Sequence, residues 1–107
     1  MPSILESRFV ILDCEMTGLD LLRGDKIIQI SMVEFTRGIP GSEFHATFNP
    51  GISVSDGALN LHGITDKMLF AFPPFHEKAI EIRNFLGDAV IVAHNGIYDL
   101  LFLNREF

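Results

Sequence analysis

The sequence predicts an α/β fold built on a mixed sheet, and three observations carry that expectation. Three β-type runs follow one another across short connections in the first half of the chain. A helical stretch comes next, with apolar residues at helical spacing. A short, wholly apolar run then stands just before a last helical segment.

The elements can be justified in order. Arg8–Cys14 (RFVILDC) is rich in β-formers and is bounded by the turn-prone Thr17-Gly18-Leu19-Asp20. Lys26–Thr36 is a second such run, Gly38-Ile39-Pro40-Gly41 reads as a turn, and Glu43–Phe48 reads as a third strand. Connections this short suit an antiparallel meander. Asn49-Pro50-Gly51 ends it. Ser55 or Asp56 can cap a short helix to about Leu61, stopped by Gly63, and Thr65 can cap Asp66–Phe70. After Pro73-Pro74, Phe75–Leu86 places Phe75, Ala79, Ile82 and Leu86 on one helical face. Ala89–Ala93 (AVIVA) is expected to be a strand buried on both faces, and a final helix should start near Tyr98.

Composition narrows the function classes. At 107 residues and 48% hydrophobic content the chain fits one small domain with a core. No apolar run is long enough to span a bilayer, and the N-terminus lacks the pattern of a secretory signal, so no membrane partner is expected. A single cysteine, Cys14, rules out an internal disulfide and suits a reducing, cytoplasmic setting. The net charge of −6 argues against broad phosphate neutralisation of duplex DNA. It leaves room for an enzyme that grips a strand end through bound cations.

Asp13 and Glu15 lie two apart at the end of the first strand, so both point to one face while Cys14 points to the other. Two such carboxylates repel unless they are exposed, protonated or bridged by a cation, and Mg²⁺ or Mn²⁺ suits oxygen ligands. Asp-x-Glu also marks many solvated strand ends. Asp99 follows the Ala89–Ala93 strand near a helix start, where it could join the other two or simply complement the helix dipole. No Cys/His spacing suggests zinc, and no phosphate-cradling Gly-rich loop or nucleophile elbow is present.

Phe9–Asp20 (FVILDCEMTGLD) resembles the first motif of the DEDD-type 3′→5′ exonucleases, and His94–Asp99 (HNGIYD) resembles the second. Phe48-Asn49-Pro50, Leu61–Leu69 (LHGITDKML), Pro74-Phe75 and Phe102–Phe107 match the intervening text of the DnaQ-like branch, nearest its polymerase III epsilon proofreading type. Met16 and the Glu-Met-Thr-Gly-Leu-Asp run also resemble oligoribonuclease, and Gly96 and Tyr98 replace the more usual Ala and Phe.

The resemblance implies a ribonuclease H-like mixed sheet with flanking helices. It implies Asp13, Glu15 and Asp99 as catalytic ligands of two divalent cations, Mg²⁺ or Mn²⁺. It implies Met16, Thr17 and Gly18 as holders of the terminal nucleotide, with His62 and Asn95 also on the substrate side. The expected reaction is hydrolysis of the 3′-terminal phosphodiester of single-stranded or frayed DNA, in proofreading alongside replicative polymerase subunits. RNA trimming like that of oligoribonuclease or ribonuclease T is the alternative. The family's third motif, a histidine followed by an aspartate, has no counterpart in residues 1–107. The chain is therefore expected to be a single incomplete exonuclease domain, lacking its last strand and helices and weakly active or inactive. An open sheet edge at Ala89–Ala93, with self-association through it, is expected in consequence.

Overall fold

The computed structural model describes residues 7–94 and 96–107, and builds four strands and their helices around one sheet. β1 (Arg8–Met16), β2 (Ile27–Thr36) and β3 (Ile39–Thr47) form the antiparallel meander. α1 (Asp56–His62) and α2 (Asp66–Leu69) follow, then a 3₁₀ turn at Phe75–Glu77 and α3 (Ala79–Leu86). β4 (Val90–Ala93) pairs parallel with β1, and α4 (Ile97–Glu106) comes last. The strand order is β3-β2-β1-β4, a mixed sheet.

Alternation along β1 sets the layers. Val10, Leu12, Cys14 and Met16 are buried with Ile30 and Met32 of β2. They share one core with Ile82 and Leu86 of α3 and with Phe102 and Leu103 of α4. Asp13 and Glu15 alternate onto the other face, opposite Ser31 and Gln29 of β2. A second, smaller cluster joins Ile28 to Ile64, Leu69 and Val54, and so anchors α1 and α2 beside β2.

Three details depart from the pattern in the sequence. The β2–β3 reversal is a two-residue turn at Arg37-Gly38, both left-handed (φ 55° and 75°), so β3 begins at Ile39, inside the stretch expected to turn. The helix expected from Phe75 to Leu86 is broken at Lys78, where φ −112° and ψ 0° separate the 3₁₀ turn from α3. β4 is not buried on both faces. It pairs with β1 along one side, and Val90, Ile91 and Val92 are 47%, 37% and 46% exposed. An apolar run reports that a strand exists, not which faces are covered.

Arg8 ties the start of β1 to the end of α3. Its Nη1 and Nη2 donate to the carbonyls of Leu86 (2.9 Å) and Phe85 (2.5 Å), its Nε donates to Glu34 (2.6 Å), and the guanidinium lies 5.3 Å from the Phe85 ring centroid. Helix carbonyls at a C-terminus lack partners within the helix, and the planar fork of arginine meets two at once. Arg8→Lys keeps the charge but not the fork. It should cost about 1.5–3 kcal/mol, the range for hydrogen bonds to charged groups, read as a lower urea midpoint at unchanged slope. A wild-type midpoint would show that the fork contributes nothing.

Candidate active site

The carboxyl end of β1 opens into a cleft of about 590 Å³, whose walls include Glu15, Met16, Gly18, Leu61, His62 and Tyr98. Each wall follows from the fold. β1 supplies Glu15 and Met16, the turn after it supplies Gly18 and Leu19, α1 supplies Ala58, Leu61 and His62, and the first turn of α4 supplies Tyr98. Helix α1 is fixed at both ends. Ser55 caps it by accepting from the Ala58 amide (3.2 Å), and Gly63 takes the left-handed conformation that closes it.

The three carboxylates singled out from the sequence act on one another electrostatically. Asp99 is completely buried in the first turn of α4, and Asp13 and Glu15 are half-buried. The Glu15 carboxyl is held above its ordinary range. Burial is the largest cause, His62 opposes it, Asp13 and Asp99 add to it, and His94 opposes it weakly. The Cys14 thiol is pushed up as well, by burial first, then by Asp99, Asp13 and Glu15. The field of Asp99 therefore reaches the strand that carries the other two.

Among the described residues, no three His, Cys, Asp or Glu side chains stand close enough together to hold an ion in the arrangement seen. The donor chemistry nevertheless fits a hard cation. Asp13, Glu15 and Asp99 offer only oxygen, and their mutual repulsion around Glu15 is the kind that a divalent ion offsets.

The neighbouring residues divide by what their polar atoms are doing. His62 has both ring nitrogens engaged. The Ile64 amide donates to Nδ1 (3.0 Å), so Nε2 carries the proton and donates to the Met16 carbonyl (3.0 Å). The ring thereby pins α1 to the end of β1, with both nitrogens engaged. Thr17 is fully buried, and its hydroxyl donates to Asp25 (2.8 Å) while accepting from the Lys26 amide (3.0 Å). That hydroxyl is committed to the fold rather than presented to the cleft. Met16 and Gly18 do line the cleft, while Asn95 lies outside the described residues.

Two groups of residues were not singled out from the sequence. The exposed apolar rim of Leu19 and Leu61 is one, and exposed leucines on a surface turn and a short helix carry no signal of their own. The other is Asp25, a buried carboxylate behind the turn. Burial pushes it up, but hydrogen bonds from Arg23, the Asp20 amide and Thr17, with the Arg23 charge, outweigh that and hold it below the ordinary range.

The family profile described as exonuclease matches residues 10–107. DNA polymerase III subunit epsilon of Buchnera aphidicola is 38% identical over 104 residues, covering 92% of this chain and 44% of the relative. The subunit of the same name from Escherichia coli is 36% identical over 106 residues, covering 94% and 44%. Among solved structures, exonuclease X in complex with 5′ overhanging duplex DNA superposes with a TM-score of 0.73 at 27% identity, over 89% of this chain and 53% of that one. Exonuclease I superposes with a TM-score of 0.79 at 19% identity, over 94% of this chain and 23% of that one, a likeness of fold alone. The chain thus spans 44% of the length of these epsilon relatives.

Proposed function

We propose that this chain, which belongs to the exonuclease family, supplies the front part of a proofreading 3′→5′ exonuclease acting on DNA. The observation that carries the reading is the cleft at the end of β1, where Glu15 stands in the fields of both Asp13 and Asp99. Epsilon relatives that are named as subunits of DNA polymerase III support a replicative polymerase as the partner, and with it a cytoplasmic setting.

Asp13, Glu15 and Asp99 would hold two divalent cations, Mg²⁺ or Mn²⁺. Such ions supply charge to the scissile phosphate and acidify the attacking water. The chain's own residues do the rest of the work. The turn at Met16–Gly18 and the apolar side chains of Leu19, Leu61 and Tyr98 suit a terminal nucleotide, with its base laid against the apolar rim. Water attacks the terminal phosphorus, the bond to the 3′-oxygen of the preceding nucleotide breaks, and a nucleoside 5′-monophosphate leaves. We assign the general base to no residue of this chain: the ring of His62 is bonded at both nitrogens, and the family's histidine–aspartate motif has no counterpart in these residues. Residues 1–107 assayed alone should accordingly turn over slowly, by about 10²–10⁴.

The test is a gel assay on a 5′-labelled single-stranded DNA with Mn²⁺, Mg²⁺ or chelator, beside a matched RNA. Slow stepwise shortening from the 3′ end is expected only with cation and with DNA preferred. Loss of a partner beyond the ligands themselves costs 10–100-fold in a metal site, so Asp13→Ala should lower the rate at least about a hundredfold. Cleavage that is internal, indifferent to chelator, or retained in Asp13→Ala would sink the proposal. Preference for RNA would move the substrate class to RNA trimming.

A further inference from the structure

We infer that Asp25 is a positioning residue that sets the nucleotide-holding turn after β1, acting through Thr17; the inference rests on the site reading above. Asp25 sits just before β2 and is 3% exposed. Its Oδ1 accepts from the Thr17 hydroxyl (2.8 Å) and from Arg23 (2.6 Å), and its Oδ2 accepts from the Asp20 amide (2.9 Å). The Asp25 amide in turn donates to the Asp20 carbonyl (3.1 Å), closing the loop between them. The carboxylate therefore holds both ends of the Thr17–Asp20 turn. Gly18, between those ends, lies directly against it and also lines the cleft.

Thr17 carries that restraint across the cleft. Its amide donates to the Lys26 carbonyl (2.9 Å), and its carbonyl accepts from the amide of Ser55 (2.8 Å), the residue that caps α1. One residue thus joins the turn, the start of β2 and the helix that brings Leu61 and His62 to the opposite wall. Asp25 fixes the only rotatable donor of that residue. A buried, accept-only carboxylate is suited to this, because each of its contacts comes from a donor and none can be reversed by a proton rearrangement. Arg23, whose side chain is half exposed, completes the charge balance at the surface.

The consequence concerns the nucleotide and not the cations. The carboxylate of Asp25 is bonded to Thr17, Asp20 and Arg23, so its loss should loosen the cleft walls while leaving Asp13, Glu15 and Asp99 in place. In Asp25→Asn the amide group must face a donor, and the turn loses at least one bond.

The experiment uses the chain with two probes: Mn²⁺ alone, and a deoxynucleoside 5′-monophosphate in saturating Mn²⁺. Amide hydrogen exchange at Thr17 and Ser55 is followed in parallel. Asp25→Asn should weaken mononucleotide affinity by at least about tenfold, as loss of a supporting contact does elsewhere. Mn²⁺ affinity should stay within about twofold, because the cation ligands are untouched. Exchange at both amides should quicken. Thr17→Val should reproduce the effect, and the double variant should add nothing. If Asp25→Asn does not fold, Thr17→Val alone decides the question by the same readouts. Unchanged mononucleotide affinity, or equal losses of mononucleotide and Mn²⁺ affinity, would overturn the inference. A wild-type chain that binds no mononucleotide would instead overturn the site reading. Amide exchange would still decide the role of Asp25, with unchanged exchange in Asp25→Asn refuting it.

Discussion

Replacing Glu15 with glutamine should raise the melting temperature of the cation-free chain and blunt its response to Mn²⁺. The sign follows from the electrostatics of the cleft. Burial, with the charges of Asp13 and Asp99, lifts the Glu15 carboxyl above its ordinary range, and the opposing pull of His62 and His94 does not cancel this. A carboxyl raised in the folded state favours folding fully below its unfolded value, and that contribution is lost as pH rises through the raised value. At neutral pH the charge of Glu15 therefore works against the fold, and a neutral glutamine of the same shape relieves it. Functional clefts commonly hold such tension.

A cation that binds only the folded chain reverses the balance. At a hundredfold excess over its dissociation constant it stabilises by about 2.7 kcal/mol. For a domain of this size that corresponds to roughly 10–20 °C in melting temperature. Scanning calorimetry should show this rise for the wild-type chain at pH 7. The rise should shrink as pH falls through the raised range of Glu15, vanish in Asp13→Ala and fall in Glu15→Gln. An identical Mn²⁺ shift in all three proteins would mean that the cation binds elsewhere, and the proposed ligand set would have to be abandoned.

Much of this was legible in the sequence, and the parts that were not have physical reasons. The alternation of Phe9–Glu15 both makes β1 and turns Asp13 and Glu15 to one face, so the strand and its paired carboxylates could be read together. The meander was legible too, because its apolar runs are long and its connections short. The start of β3 was not. Ile39-Pro40-Gly41 has turn chemistry, whereas the real reversal uses Arg37 at φ 55°, a conformation that arginine does not advertise. The exposure of β4 was hidden because its four residues carry no polar alternation to show an uncovered side. Most instructive are Thr17 and His62. Both sit in the motif-bearing segments, yet the structure spends their polar atoms on Asp25, Lys26, Ile64 and the Met16 carbonyl. Apart from the local bond to Ile64, these commitments span 8 to 46 residues and leave no local pattern. Asp25 was invisible for the same reason, as a lone aspartate before a strand.

Gly18→Ala should be among the most damaging single methyl additions in the chain. A Cβ there would collide with Oδ2 of Asp25 and stand 2.8 Å from its Cγ and 3.0 Å from its Oδ1. A flexible side-chain end could swing aside, but this carboxylate is held by the Thr17 hydroxyl, the Asp20 amide and Arg23, and is nearly devoid of solvent. Moving it breaks those bonds; leaving it forces the backbone of the turn away. Overpacking of this kind costs about 1–3 kcal/mol, or roughly 5–20 °C in melting temperature here. Gly57 is the internal control. It lies in α1, where an added methyl would meet open space and φ is not left-handed, so Gly57→Ala should hold or raise stability by about 0.5–1 kcal/mol. The cause of the Gly18 effect is then isolated by coupling. In the Asp25→Ala background the collision partner is gone, so adding Gly18→Ala should cost far less than it does in the wild type. Equal costs in the two backgrounds would mean that the glycine is required for some reason other than the carboxylate pressed against it.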